Sequence, residues 1–201
     1  MRHEQADLWE RYDRGEKIVI TTNVGWSAKD HENNMGAGMA LQAAKRFPWL
    51  PRWYGQYCRH WANGRWPRHL LTVPVVEIDR LIFFPVKPLL DFANPERSWD
   101  QKARLDVIRV SLTQLTRHRG PIALGFPGCG NGGLEPVEVL PLLQLFLPDD
   151  RFTVCDWEFP LEDLGYRVGL NAAVAGLGML NDAIAGAGLA VRDGELVRSS
   201  G

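Results

Sequence analysis

Short β-branched runs alternate with amphipathic stretches along most of this chain, and that alternation restricts the fold more than any other feature. Residues 17–22 (KIVITT) read as a buried strand, residues 70–77 and 81–86 as two more joined by a short polar link, and residues 121–126 and 151–157 as two others. Between them fall helical patterns. One covers residues 8–12 and ends near Gly15, and another runs from Gly36 or Ala37 to Arg46 and is closed by Phe47 and Pro48. Leu50, Tyr54, Tyr57 and Trp61 recur at three- and four-residue spacing, as do Leu105, Ile108, Leu112 and Leu115. Ser98 with Gln101 has the form of a capping box opening the latter helix. Pro136 suits the first turn of a last helix whose buried stripe is Val139, Leu142, Leu143 and Phe146. Strands that alternate with helices bury both faces of a mixed or parallel sheet, so the expected fold class is α/β, a three-layer α/β/α sandwich.

Two glycine-bearing stretches interrupt the pattern where a strand hands over to a helix. The first is Asn33-Asn34-Met35-Gly36-Ala37-Gly38-Met39-Ala40 and the second Gly128-Cys129-Gly130-Asn131-Gly132-Gly133-Leu134. Without β-carbons, backbone N–H groups approach an anion closely, and a helix N-terminus adds a favourable dipole. Either stretch alone is explained by turn chemistry. The pair points to a ligand that carries a diphosphate and a sugar.

The 201 residues suffice for one domain with a full core and an appendage. Residues 1–160 are read as the domain and residues 161–201 as an Ala- and Gly-rich extension packing on it. The extension has a helix at about residues 170–187 and a hairpin around Asp193-Gly194. The formal net charge of −1 provides no general field for a polyanion. Three cysteines without CxxC spacing argue against a disulfide framework and a zinc knuckle, and no cluster of metal ligands is apparent. The charged start is unlike a signal peptide and no apolar run reaches spanning length, so a cytoplasmic chain without membrane contact, read as a monomer, is expected.

The strand-end Asn23, the Met-Gly-x-Gly-x-Ala helix start at residues 35–40, the strand end Phe84-Pro85-Val86-Lys87 and the Gly-Cys-Gly-Asn-Gly-Gly-Leu loop occur in the order found in macro domains. The resemblance covers roughly residues 17–157 and is strongest to the branch holding DNA ADP-ribosyl-glycohydrolase antitoxins and terminal ADP-ribose glycohydrolases. It implies a cleft at the C-terminal ends of the strands. Asn34, Met35, Gly36, Ala37 and Gly38 would wrap the distal ribose, and Gly128, Cys129, Gly130, Asn131, Gly132 and Gly133 would cradle the diphosphate. The partner implied is ADP-ribose or an ADP-ribosylated macromolecule, DNA among them, with no cofactor and no metal.

The same resemblance implies that Lys87 attacks the anomeric carbon, that Glu135 after Gly-Gly-Leu assists as acid-base partner, and that Asn23 orients the ribose. An amine in a partly desolvated site becomes nucleophilic near neutrality and forms a Schiff base with an opened ribose. The bland readings are a strand-end charge for Lys87 and an ordinary first-turn acid for Glu135. Two other functions stay open: a binding module in which Lys87 neutralises phosphate, and a phosphatase acting on ADP-ribose 1″-phosphate.

The chain departs from the family in three ways. No Gly-Asp-Ile, whose Asp reads the adenine amino group, precedes Asn23. Glu135 stands where the branch usually has Asp. The loop after Asn23 is long and holds Trp26, Lys29, Asp30, His31 and Glu32, of which Trp26 and His31 are candidate ligand contacts. Residues 49–68 interleave arginines with tryptophans, which suits either a solvated basic face or a nucleic-acid groove.

Overall fold

The computed structural model describes residues 1–64 and 67–155, together with the backbone of two strands at residues 189–192 and 195–198. The first body is a six-stranded sheet between two helical layers. Its strands are β1 (Arg2–Glu4), β2 (Lys17–Asn23), β3 (Val76–Ile78), β4 (Leu81–Lys87), β5 (Ile122–Leu124) and β6 (Phe152–Cys155), in the order β1-β6-β5-β2-β4-β3. All neighbours are parallel except β3 and β4, so the sheet is mixed.

Alternation along the central strands sorts the core into two layers. Ile18, Ile20, Leu81 and Phe83 face α1 (Leu8–Asp13), α2 (Gly38–Arg46) and α3 (Leu50–Ala62), while Val19, Ile82, Phe84 and Val86 face α4 (Leu105–Leu115) and α5 (Pro136–Phe146). This is the expected three-layer α/β/α architecture. The caps follow from sequence: the Asp7 carboxylate accepts the Trp9 N–H at 2.6 Å and the Glu10 N–H at 3.2 Å, and Pro136 opens α5.

Three expectations change. Strand β1 has no apolar pattern; its three residues pair in parallel with β6, and the N-terminal ammonium donates to the Pro148 carbonyl at 3.1 Å. The strand expected over residues 70–77 shrinks to β3, with a 3-10 turn at Arg68–Leu70 and a left-handed Leu71 (φ 54°) where it was expected to begin. Ser98 does not cap α4. It lies in the 3-10 segment Pro95–Asp100, and α4 begins seven residues later, after Arg104.

Residues 189–192 and 195–198 form strands β7 and β8, which pair antiparallel with Arg192 opposite Glu195, as expected of a hairpin. The helix expected at about residues 170–187, and any packing of the extension, lie outside the described residues. No helix among the described residues is long and apolar enough to cross a membrane, and none of their His, Cys, Asp and Glu side chains form a metal-binding group of three.

Candidate ligand cleft at the strand ends

A cavity of about 640 Å³ opens at the C-terminal ends of β2 and β4. Its walls are the ends of those strands, the first glycine stretch at the start of α2, the loop between β5 and α5, and the run Trp99-Asp100-Gln101-Lys102. A register shift in β2 between Thr22 and Asn23 sets Asn23 opposite Lys87 where an unbroken ladder would set it opposite Val86. The two strand-end residues thereby face the same cavity.

Asn23 is buried and serves as a clamp. Its Nδ2 donates to the Asn34 carbonyl at 2.8 Å, and its Oδ1 accepts the Gly25 N–H and the Asn33 Nδ2, both at 2.9 Å. The long loop after β2 is therefore tied back to its own strand, which fixes Asn34 and the glycines after it on the cavity wall. Ser98 makes the second tie: it donates to the Pro88 carbonyl at 2.9 Å and accepts the Val24 N–H at 3.2 Å. The contact behind it is so close that a Cβ on Gly25 would stand 2.2 Å from the Pro95 oxygen.

The glycines of the second loop divide into two kinds. A Cβ on Gly128, where φ is +85°, would meet Ala103 and Ile108 carbons at 2.9 Å, and one on Gly132 would meet Ala103 at 2.8 Å. Those two glycines let the loop lie against α4 and the segment before it. Gly130, with φ +65°, lines the cavity and has open space where its Cβ would be. The two loops approach each other where Asn131 Nδ2 lies 4.0 Å from the position of a Gly38 Cβ.

Lys87 is half-buried, and its Nζ donates to the Trp99 carbonyl at 2.7 Å. Burial lowers its pKa from the ordinary value of 10.5, and the charge of Asp100 opposes that shift. Asp100 and Lys102 are the charged companions of Lys87 on the wall.

Asn23, Lys87, Asn34, Gly36, Ala37, Gly38 and all six residues of Gly128–Gly133 thus share one cavity. Met35, Trp26, His31 and Glu135 do not line it. Met35 and Trp26 are buried in the core beside α2 and α3, and both border a second cavity on the other side of the first glycine stretch. His31 has a left-handed backbone (φ 62°), and its carbonyl lies over Gly55 of α3, so it shapes the loop from behind. Glu135 is exposed at the start of α5, where its backbone N–H donates to Glu138 at 2.8 Å. Sequence reasoning passed over residues 99–102. Their signal was the long stretch between the strand end at Lys87 and the helix at Leu105, since loops leaving the C-terminal strand ends host ligands in such sheets.

The arrangement of sheet, helices and loops recurs in solved structures. The macrodomain of Thermus aquaticus DarG is 25% identical, with a TM-score of 0.52 over 79% of this chain and 97% of that one. The macrodomain of Mycobacterium tuberculosis DarG is 24% identical, with a TM-score of 0.53 over 77% of this chain and 95% of that one. This chain has the macrodomain fold. Thermosipho africanus DarTG, solved in complex with ADP-ribose, shares that fold at 17% identity and a TM-score of 0.50, over 74% of this chain and 40% of its own. No protein-family model and no curated protein sequence matches the chain. In this macrodomain fold the cavity above β2 and β4 lies at the strand-end rim where the resemblance in sequence located its cleft.

Proposed function

We propose that this cavity binds ADP-ribose and that the chain hydrolyses an ADP-ribosyl bond. The reading is carried by one observation: Asn23, Lys87 and both glycine loops, which are far apart in sequence, line a single cavity of ADP-ribose size. The DarTG structure in complex with ADP-ribose supports the ligand, and the partly desolvated amine of Lys87 supports the chemistry. The resemblance also calls for an acidic residue at an early strand end to read the adenine amino group. Asp7, which follows β1 and whose carboxylate also caps α1, is the residue we assign to that task.

In the proposed reaction the neutral Lys87 amine attacks the anomeric carbon as its bond to the acceptor breaks, and the acceptor takes up a proton. Opening of the ribose ring leaves a Schiff base on Nζ. Water then adds to the anomeric carbon, which restores the amine and releases ADP-ribose. We assign proton handling to Asp100, which borders the cavity and whose charge bears on Lys87, ahead of Glu135. Calorimetry with ADP-ribose, together with turnover of ADP-ribosylated DNA, ADP-ribosylated peptide and ADP-ribose 1″-phosphate, tests the reading. Binding without turnover of any of the three removes the enzyme and leaves a binding module.

A further inference from the structure

The second cavity, of about 450 Å³, shares Asn34, Gly36 and Trp99 with the first and has the opposite chemistry. Asp30, Glu32 and Glu96 line it with Trp26 and Trp99, and none of its described lining residues is a lysine or arginine. Asp30 is kept ionised by the Glu32 N–H and the Ser27 hydroxyl, which hold its pKa below the ordinary carboxylate value. Glu32 and Glu96 are exposed. A separate observation comes from Asn33 in the same wall. It is 3% exposed and its Nδ2 donates to Asn23 and Gly25, yet its Oδ1 is buried without a hydrogen-bond partner. A buried carbonyl oxygen left unpaired costs free energy until a donor reaches it.

The three carboxylates of this cavity ask for donors and positive charge, and its tryptophans suit a flat cation. A phosphodiester would meet three carboxylates. A guanidinium suits the carboxylates and the tryptophans: it is planar, always charged, carries five N–H donors and no acceptor, and stacks on indole. Trp99 stands at the junction, with its backbone carbonyl on Lys87 Nζ and its residue bordering both cavities. A substituent on a ribose held beside Lys87 has the second cavity as its neighbour.

We infer that the second cavity holds the acceptor side chain of the substrate, and that this acceptor is the guanidinium of an ADP-ribosylated arginine in a protein. The inference rests on the ADP-ribose reading of the first cavity. Its test uses the full chain carrying Lys87→Ala, so that no probe is consumed during titration. ADP-ribose, ADP-ribosyl-agmatine and an ADP-ribosylated single-stranded oligonucleotide are compared by calorimetry.

The agmatine adduct is expected to bind about tenfold tighter than ADP-ribose at low salt, and adding Glu32→Gln with Glu96→Gln should erase that advantage while ADP-ribose affinity stays the same. Equal affinity for the adduct and ADP-ribose overturns the inference alone, as does tighter binding of the oligonucleotide than of the adduct. Failure of ADP-ribose itself to bind overturns the reading of the first cavity, and this inference falls with it.

Discussion

The cavity above β2 and β4 is lined by Lys87, Lys102 and two glycine loops, whereas its neighbour is lined by Asp30, Glu32, Glu96 and two tryptophans; the same residues, Asn34 and Gly36, border both. One strand-to-helix segment thus forms a wall of two unlike cavities. On one side it offers backbone, so the shape of the main chain and the absence of side chains matter. On the other it offers side chains, so charge matters. The first cavity should therefore be sensitive to added carbon atoms and the second to lost charge. Substitutions that respect this division sharpen the comparison, and substitutions that cross it break it.

The largest expected effect is on turnover. Lys87→Ala should lower kcat by about a thousandfold or more while ADP-ribose affinity changes by less than about threefold. Single-turnover kinetics with the preferred ADP-ribosyl substrate measure the first and calorimetry the second. Full activity in that variant would remove the covalent step.

Next come the glycines. Gly128→Ala puts a methyl group 2.9 Å from Ala103 and Ile108 carbons at a positive φ, so a loss of roughly 1–3 kcal/mol of stability is expected in denaturant titration. Gly130→Ala meets no neighbour and should cost only about 1 kcal/mol, but Gly130 lines the cavity and the added methyl should weaken ADP-ribose about tenfold. Equal affinity losses in stability-matched measurements would mean that the loop acts only as a turn.

Asn23→Ala removes three hydrogen bonds that tie the loop to its strand, and a loss of about 1–3 kcal/mol follows from leaving the Asn34 carbonyl and the Gly25 N–H without the Asn23 side chain, while Asn33 keeps its bonds to the Asn23 and Gly25 carbonyls. Amide exchange in residues 24–36 should quicken more than exchange in α4. Exchange that quickens equally in both would show that the clamp is not local.

The smallest effect is on pH dependence. Lys87 has its folded pKa depressed by burial, so the unfolded chain binds the extra proton, and stability should rise with pH from the folded pKa up to the ordinary 10.5. Turnover should rise through the same folded pKa as the amine becomes neutral. Asp100 pulls that pKa upward, so Asp100→Asn should move the rising limb of the pH–rate profile towards acid, besides lowering its plateau if Asp100 handles protons. An unmoved limb would detach Asp100 from Lys87, and a lowered plateau in Glu135→Gln would return the proton to Glu135.

The central strands and the five helices among the described residues were legible because their patterns have the right periods: residues 17–22 carry alternating core faces, and Leu105, Ile108, Leu112 and Leu115 carry a helical stripe. Strand β1 was not legible, since Arg2-His3-Glu4 is held by pairing with β6 and not by burial of its own side chains. The cavity walls that came from glycine were legible for the same reason, because glycine at a strand end has a local meaning. Asp100 and Trp99 were not, since nothing local marks them. They reach the cavity because Ser98 bonds the loop after β2 and the chain after β4 at once, a tertiary fact that the capping-box pattern disguised. Trp26 and Met35, expected as ligand contacts, border the neighbouring cavity instead.

The two indoles of the second cavity have an optical consequence. Trp26 is 8% exposed and Trp99 48%, so their emission should differ in colour, and an occupant that excludes water from Trp99 should shift the redder component towards the blue. Subtracting the spectrum of Trp99→Phe isolates that signal from the chain's other tryptophans. The residue whose carbonyl holds the lysine is thereby a built-in reporter of what arrives beside it.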